Sequence, residues 1–81
     1  MIARLPVITP RRLISALGKD GWYLHHATGS HKLFRHPVKE GRVVVPFHAK
    51  DLKRGTLKAI LAQADITESD LQTLLSRRKA A

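Results

Sequence analysis

Apolar positions along the chain fall into two rhythms, one helical and one extended. Leu13, Ile14 and Leu17 recur at helical spacing, behind Thr9 as N-cap and Pro10 at the first helical position, where a missing N–H is harmless. Gly21 stops that helix. From Trp22 to Ala27 the pattern reads as a strand that feeds a turn at Gly29-Ser30, and a second strand runs from His31 to His36, where Pro37 can no longer donate to a ladder. Gly41 marks another turn. Val43-Val44-Val45, closed by Pro46, is a β-branched run that predicts a third strand.

Helical spacing then returns. Leu57, Ile60, Leu61 and Ala64 share one face of a helix starting near Gly55-Thr56 and ending around Asp65. Thr67-Glu68-Ser69-Asp70 resembles a capping box ahead of Leu71, Leu74 and Leu75, which predicts a short last helix. The order α-β-β-β-α-α predicts an α+β fold, a three-stranded antiparallel sheet with its helices on one face. No repeat, low-complexity segment or Gly/Ser linker divides residues 1–81, so the expectation is one domain.

The hairpin register decides which residues share a face. A two-residue loop sets Thr28 opposite His31 and turns Leu24 toward Arg35, which mixes apolar with polar on both faces. A three-residue loop, Thr28-Gly29-Ser30 with a left-handed residue making a bulge, sets Ala27 opposite His31 and Leu24 opposite Phe34. The second arrangement is the expected one. Trp22, Leu24 and Phe34 then face the helices, while Tyr23, His25, His31 and Arg35 line the open face. The same register turns Lys32 toward the helices.

Charge narrows the class of partner. Fifteen Lys and Arg against six Asp and Glu give a formal net charge of +9 and a sequence pI near 11.0, which favours a polyanion. The cations are spread over helices, strands and loops rather than gathered on one amphipathic helix, which argues against a membrane surface. No run approaches the roughly 20 apolar residues of a membrane span, and the N-terminus lacks the long apolar core of a signal peptide. With no Cys, disulfides and thiolate metal sites are excluded, and a cytoplasmic location is expected.

Candidate chemistry concentrates in Thr28-Gly29-Ser30-His31-Lys32-Leu33-Phe34-Arg35. Cleaving RNA without a metal uses the substrate's own 2′-hydroxyl as nucleophile. It needs a base near neutrality, a proton donor for the leaving oxygen, and positive charge or N–H groups around the phosphorus. Histidine suits both proton transfers. His31 is the candidate catalytic residue. Gly29 and Ser30 bring backbone and hydroxyl close to a phosphate, and Lys32, Arg35 or the helix start at Gly55-Thr56 take its charge. A lone strand histidine is more often structural, and His25, His26, His36 and His48 have blander readings still. A multi-histidine metal site lacks supporting carboxylates, since only Glu40 lies among the strands. No metal or cofactor is expected.

Three blocks in fixed order add a resemblance. Gly21-Trp22, then Thr28-Gly29-Ser30-His31-x-x-Phe34-x-His36-Pro37, then Val43-Val44-Val45-Pro46-Phe47-His48, leading to Leu52-x-x-Gly55-Thr56-Leu57-x-x-Ile60-Leu61, resemble the HicA toxin family over about residues 10–66. The resemblance implies a fold like the double-stranded-RNA-binding domain, with one additional short C-terminal helix here. It also implies an mRNA-cleaving toxin of a toxin-antitoxin system, a HicB-family antitoxin as partner, and His31 as the catalytic histidine with Gly29 and Ser30 as its neighbours. Many members carry a second histidine where this chain has Lys32, so adjacent imidazoles are not available. His25 and His48 are left as candidates to approach the same face. Residues 67–81 match no motif of the family. Two other readings use the same basic surface: a non-catalytic double-stranded-RNA-binding module, and a subunit that docks an acidic protein.

Overall fold

The computed structural model describes residues 7–47 and 51–76. Helix α1 spans Pro10–Asp20, strands β1, β2 and β3 span Tyr23–Ala27, His31–Arg35 and Val43–Pro46, and helices α2 and α3 span Arg54–Ala64 and Glu68–Ser76. The element order is the expected one. All three strands form one antiparallel sheet in the order β1-β2-β3.

Local chemistry sets the boundaries. The Thr9 hydroxyl accepts from the Arg12 N–H at 3.2 Å and caps α1, while Gly21 ends it at φ 109°, a left-handed conformation that glycine adopts without steric cost. At the start of α3 the capping box is reciprocal. Asp70 N–H donates to the Thr67 hydroxyl at 3.0 Å and Thr67 N–H donates to the Asp70 carboxylate at 3.2 Å, so Asp70 plays the part that Glu or Gln usually fills.

The core joins one face of the sheet to the three helices. Leu13, Leu17, Leu57, Leu71, Val43 and Val45 are fully buried, with Trp22 and Phe34 beside them. Phe34 lies opposite Val43 and Lys32 opposite Val45, which fixes the helix side of β2 as Lys32 and Phe34 and its open side as His31, Leu33 and Arg35. Coverage stops short of β1. All five of its residues are exposed, and Leu24, although paired with Phe34 on the helix side, is 51% exposed because the helices pack over β3 and do not reach the outer strand. Leu24 thus faces the helix side, as its pairing with Phe34 predicts, without being covered there.

Two cations are consumed by the fold. Lys39 binds the Asp20 carboxylate at 2.7 Å and donates to the carbonyls of Ala64 (3.0 Å) and Asp65 (3.2 Å), tying the end of α1 to the end of α2. Lys19 donates to the Leu74 carbonyl at 3.0 Å near the end of α3. A cation at a helix C-terminus meets the negative end of the helix dipole, so both serve packing.

Candidate functional site at the tip of the hairpin

The β1–β2 hairpin uses both of the registers weighed from the sequence, one after the other. At its base Tyr23 pairs with Arg35 and Leu24 with Phe34; nearer the tip His26 pairs with Leu33 and Ala27 with Lys32. A bulge between Leu24 and His26 absorbs the difference, so His25 is the extra residue. The loop itself is the two-residue one. Thr28 N–H donates to the His31 carbonyl at 2.8 Å across Gly29-Ser30, and Gly29 is not in the left-handed region that a three-residue loop with its own bulge was expected to need. Two expectations are thereby corrected: Ala27 lies opposite Lys32 rather than His31, and His26, not His25, occupies the open-face position opposite Leu33.

The Thr28 side chain braces the turn. Its hydroxyl accepts from the His31 N–H at 3.2 Å and donates to the His31 carbonyl at 3.3 Å, so the backbone of His31 is held from both sides. Ser30 Oγ lies 3.1 Å from His31 Nδ1, which fixes the ring by a hydrogen bond and leaves Nε2 at the outer end of the ring. From below, Phe47 N–H donates to the Ser30 carbonyl at 2.6 Å and ties the tip to the end of β3. His31 is exposed on a rigid support.

The predicted site residues separate by face. Gly29, Ser30 and His31 meet at the tip, and Arg35 is exposed on the same side of β2 as His31. Lys32 is on the other side, where its ammonium sits 4.3 Å from the centre of the Phe47 ring. That contact is a cation–π interaction at the rim of the helix layer. Beside it a half-open pocket of about 310 Å³ is lined by Thr9, Pro10, Arg11 and Phe47. Gly55 and Thr56 fall in the first turn of α2, whose N-cap Lys53 supplies no side-chain hydrogen bond.

Among the other histidines, His36 is fully engaged. Its Nδ1 accepts from the N–H groups of Val38 and Lys39, both at 3.0 Å, which places the proton on Nε2 to donate to the Asp20 carbonyl at 2.7 Å. Its ring also meets Trp22 edge-on at 5.2 Å. His48 lies outside the described residues. Among the described residues no three His, Asp or Glu side chains gather into a metal-binding group.

A family profile described as HicA toxin of bacterial toxin-antitoxin matches residues 10–66, more than half of the sequence and every element from α1 to α2. The chain belongs to the HicA toxin family. It is thus the toxin of a toxin-antitoxin system, and an antitoxin partner follows from that class. No curated protein matches the chain. No helix among the described residues is long and apolar enough to cross a membrane. The matched region of the toxin ends at Ile66, and α3 lies beyond it as an addition whose Leu71 and Leu74 complete the core.

Proposed function

We propose that this toxin is a ribonuclease that cleaves mRNA through its own 2′-hydroxyl, with His31 transferring a proton, and that a HicB-family antitoxin neutralises it by covering the His31 face. The observation that carries the reading is the placement of His31 within a HicA chain. Its imidazole is exposed at the hairpin tip, bonded to Ser30, and braced through its backbone by Thr28. Such support gives a general acid or base a defined direction without enclosing it, which suits a polymer substrate too large for a pocket.

Electrostatics agree with that assignment. No Asp or Glu lies on any of the three strands, and Arg35 projects from the same face as His31, so the strands set a cation and no carboxylate against a phosphodiester on this face. Lys32, on the opposite side of the strand, is assigned to a neighbouring phosphate rather than the scissile one. An antitoxin that covers this surface needs complementary negative charge.

Incubation of the purified toxin with labelled single-stranded RNA in excess EDTA, beside a His31→Ala variant, tests the proposal. Cleavage by the parent and a loss of about 10²- to 10⁴-fold in the variant is the expected result. RNA bound but intact in both samples would replace the enzyme with an RNA-binding module.

A further inference from the structure

Cleavage by 2′-hydroxyl attack moves two protons, one off the nucleophile and one onto the leaving oxygen, and the hairpin register points to the second group. If the Leu24–Phe34 register ran on unbroken, His25 would face Leu33 and His26 would face Lys32 on the helix side. The bulge reverses this, placing His26 opposite Leu33. Leu33 stands between His31 and Arg35 on the open side of β2, so His26 is a diagonal neighbour of both, at about 7–8 Å between backbones. All three side chains are exposed. One exposed patch thus carries two imidazoles and a guanidinium, with no carboxylate on any strand.

Resting on the ribonuclease reading, we infer that His26 is the second proton-transfer residue, paired across the strands with His31 on one scissile phosphate. One imidazole removes the 2′-hydroxyl proton as the O2′–P bond forms. The other delivers a proton to O5′ as the P–O5′ bond breaks, giving a 2′,3′-cyclic phosphate and a 5′-hydroxyl. Diagonal spacing lets the rings approach the phosphate from two directions, as displacement with entering and leaving oxygens in line requires. Arg35, flanking His26 on the far side, supplies charge to the non-bridging oxygens. No other described histidine fits the role: His36 has both ring nitrogens engaged inside the fold, and His25 is the residue the bulge removes from the ladder.

Adjacent histidines make the test sensitive to register. Cleavage by the wild-type toxin and by His25→Ala, His26→Ala and His31→Ala variants is measured on ordinary RNA. The same variants are then assayed on RNA whose scissile 5′-oxygen is sulfur, a leaving group that departs without a proton. His26→Ala is expected to slow ordinary RNA by about 10²- to 10⁴-fold with unchanged melting and RNA affinity, and His25→Ala by no more than about threefold. One of the His26 and His31 variants, and only one, should recover most of its rate on the sulfur substrate, which identifies the acid. Wild-type rates for His26→Ala beside a dead His31→Ala would overturn the inference and leave the ribonuclease reading standing. Recovery of both variants, or of neither, would overturn the division of roles. A wild-type toxin that leaves ordinary RNA intact would remove both readings.

Discussion

Replacing Gly21 by alanine attacks the junction of α1 and β1 in two separable ways. The backbone there sits at φ 109°, which costs an L-residue about 1–2 kcal/mol. The new Cβ would also lie 2.6 Å from His36 Nε2 and 3.2 Å from the flanking ring carbons. That ring has no free direction in which to swing, since Nε2 is bonded to Asp20, Nδ1 to Val38 and Lys39, and its edge meets Trp22. Moving it forfeits at least one partly buried hydrogen bond, worth about 1 kcal/mol net, and some of the ring contact. The expected loss is about 2–4 kcal/mol, a large share of the roughly 4–12 kcal/mol available to a domain of this length. Urea unfolding at constant m-value measures it. Gly41→Ala is the control for strain alone, because φ is 82° there and an added Cβ would meet nothing within 4 Å. Repeating Gly21→Ala in a His36→Ala background removes the obstruction and should lower its cost to that of Gly41→Ala, a coupling of about 1 kcal/mol or more. Equal costs in both backgrounds would refute the account of His36 as the obstacle.

Thr28→Val removes the hydroxyl that braces His31; we expect about 1 kcal/mol of lost stability and a single-turnover cleavage rate reduced by about tenfold, and a normal rate would show that the backbone turn suffices. Arg35→Gln should reduce the salt dependence of single-stranded RNA binding by about 0.7 in the log–log slope, the loss of one phosphate contact, whereas Lys39→Gln should lower the melting temperature and leave that slope alone. Anisotropy titrations at several salt concentrations separate the two.

The parts of this fold that the sequence announces are those where burial and backbone chemistry agree. Thr9-Pro10, Gly21, Pro46 and the Thr67–Asp70 box each mark an element end where the structure has one, and Leu57, Ile60, Leu61 and Ala64 are buried on one face of α2 as their spacing requires. The hairpin register fails for a physical reason. A strand's register is specified by the cost of exposing its apolar face, and β1 has no covered face: Tyr23, Leu24, His25, His26 and Ala27 are all exposed. Alternation of side chains there carries no information, so a bulge costs little and nothing in the pattern betrays it. The register is legible only where Leu24 meets Phe34 over the edge of the core, and that pairing does not continue to the tip.

That freedom bears on the chemistry. A fully covered β1 would hold His26 on the face its parity dictates, with its ring on the helix side beside Lys32. An uncovered outer strand can insert one residue, and the insertion turns His26 outward while Leu24 keeps its place opposite Phe34. The absence of helix packing over β1, which makes Leu24 half-exposed, is the same feature that lets two histidines from different strands share a face. A deletion of His25 tests this link without touching either proposed proton carrier. Removing the extra residue should straighten the ladder, keep Leu24 opposite Phe34, and leave His26 opposite Leu33 on the face it shares with His31. Cross-strand contacts between the amides of residues 24 to 27 and 31 to 35, measured by NMR, should then show one continuous register, and RNA cleavage should stay near the wild-type rate. A straightened ladder with cleavage reduced to the level of His26→Ala would refute the argument.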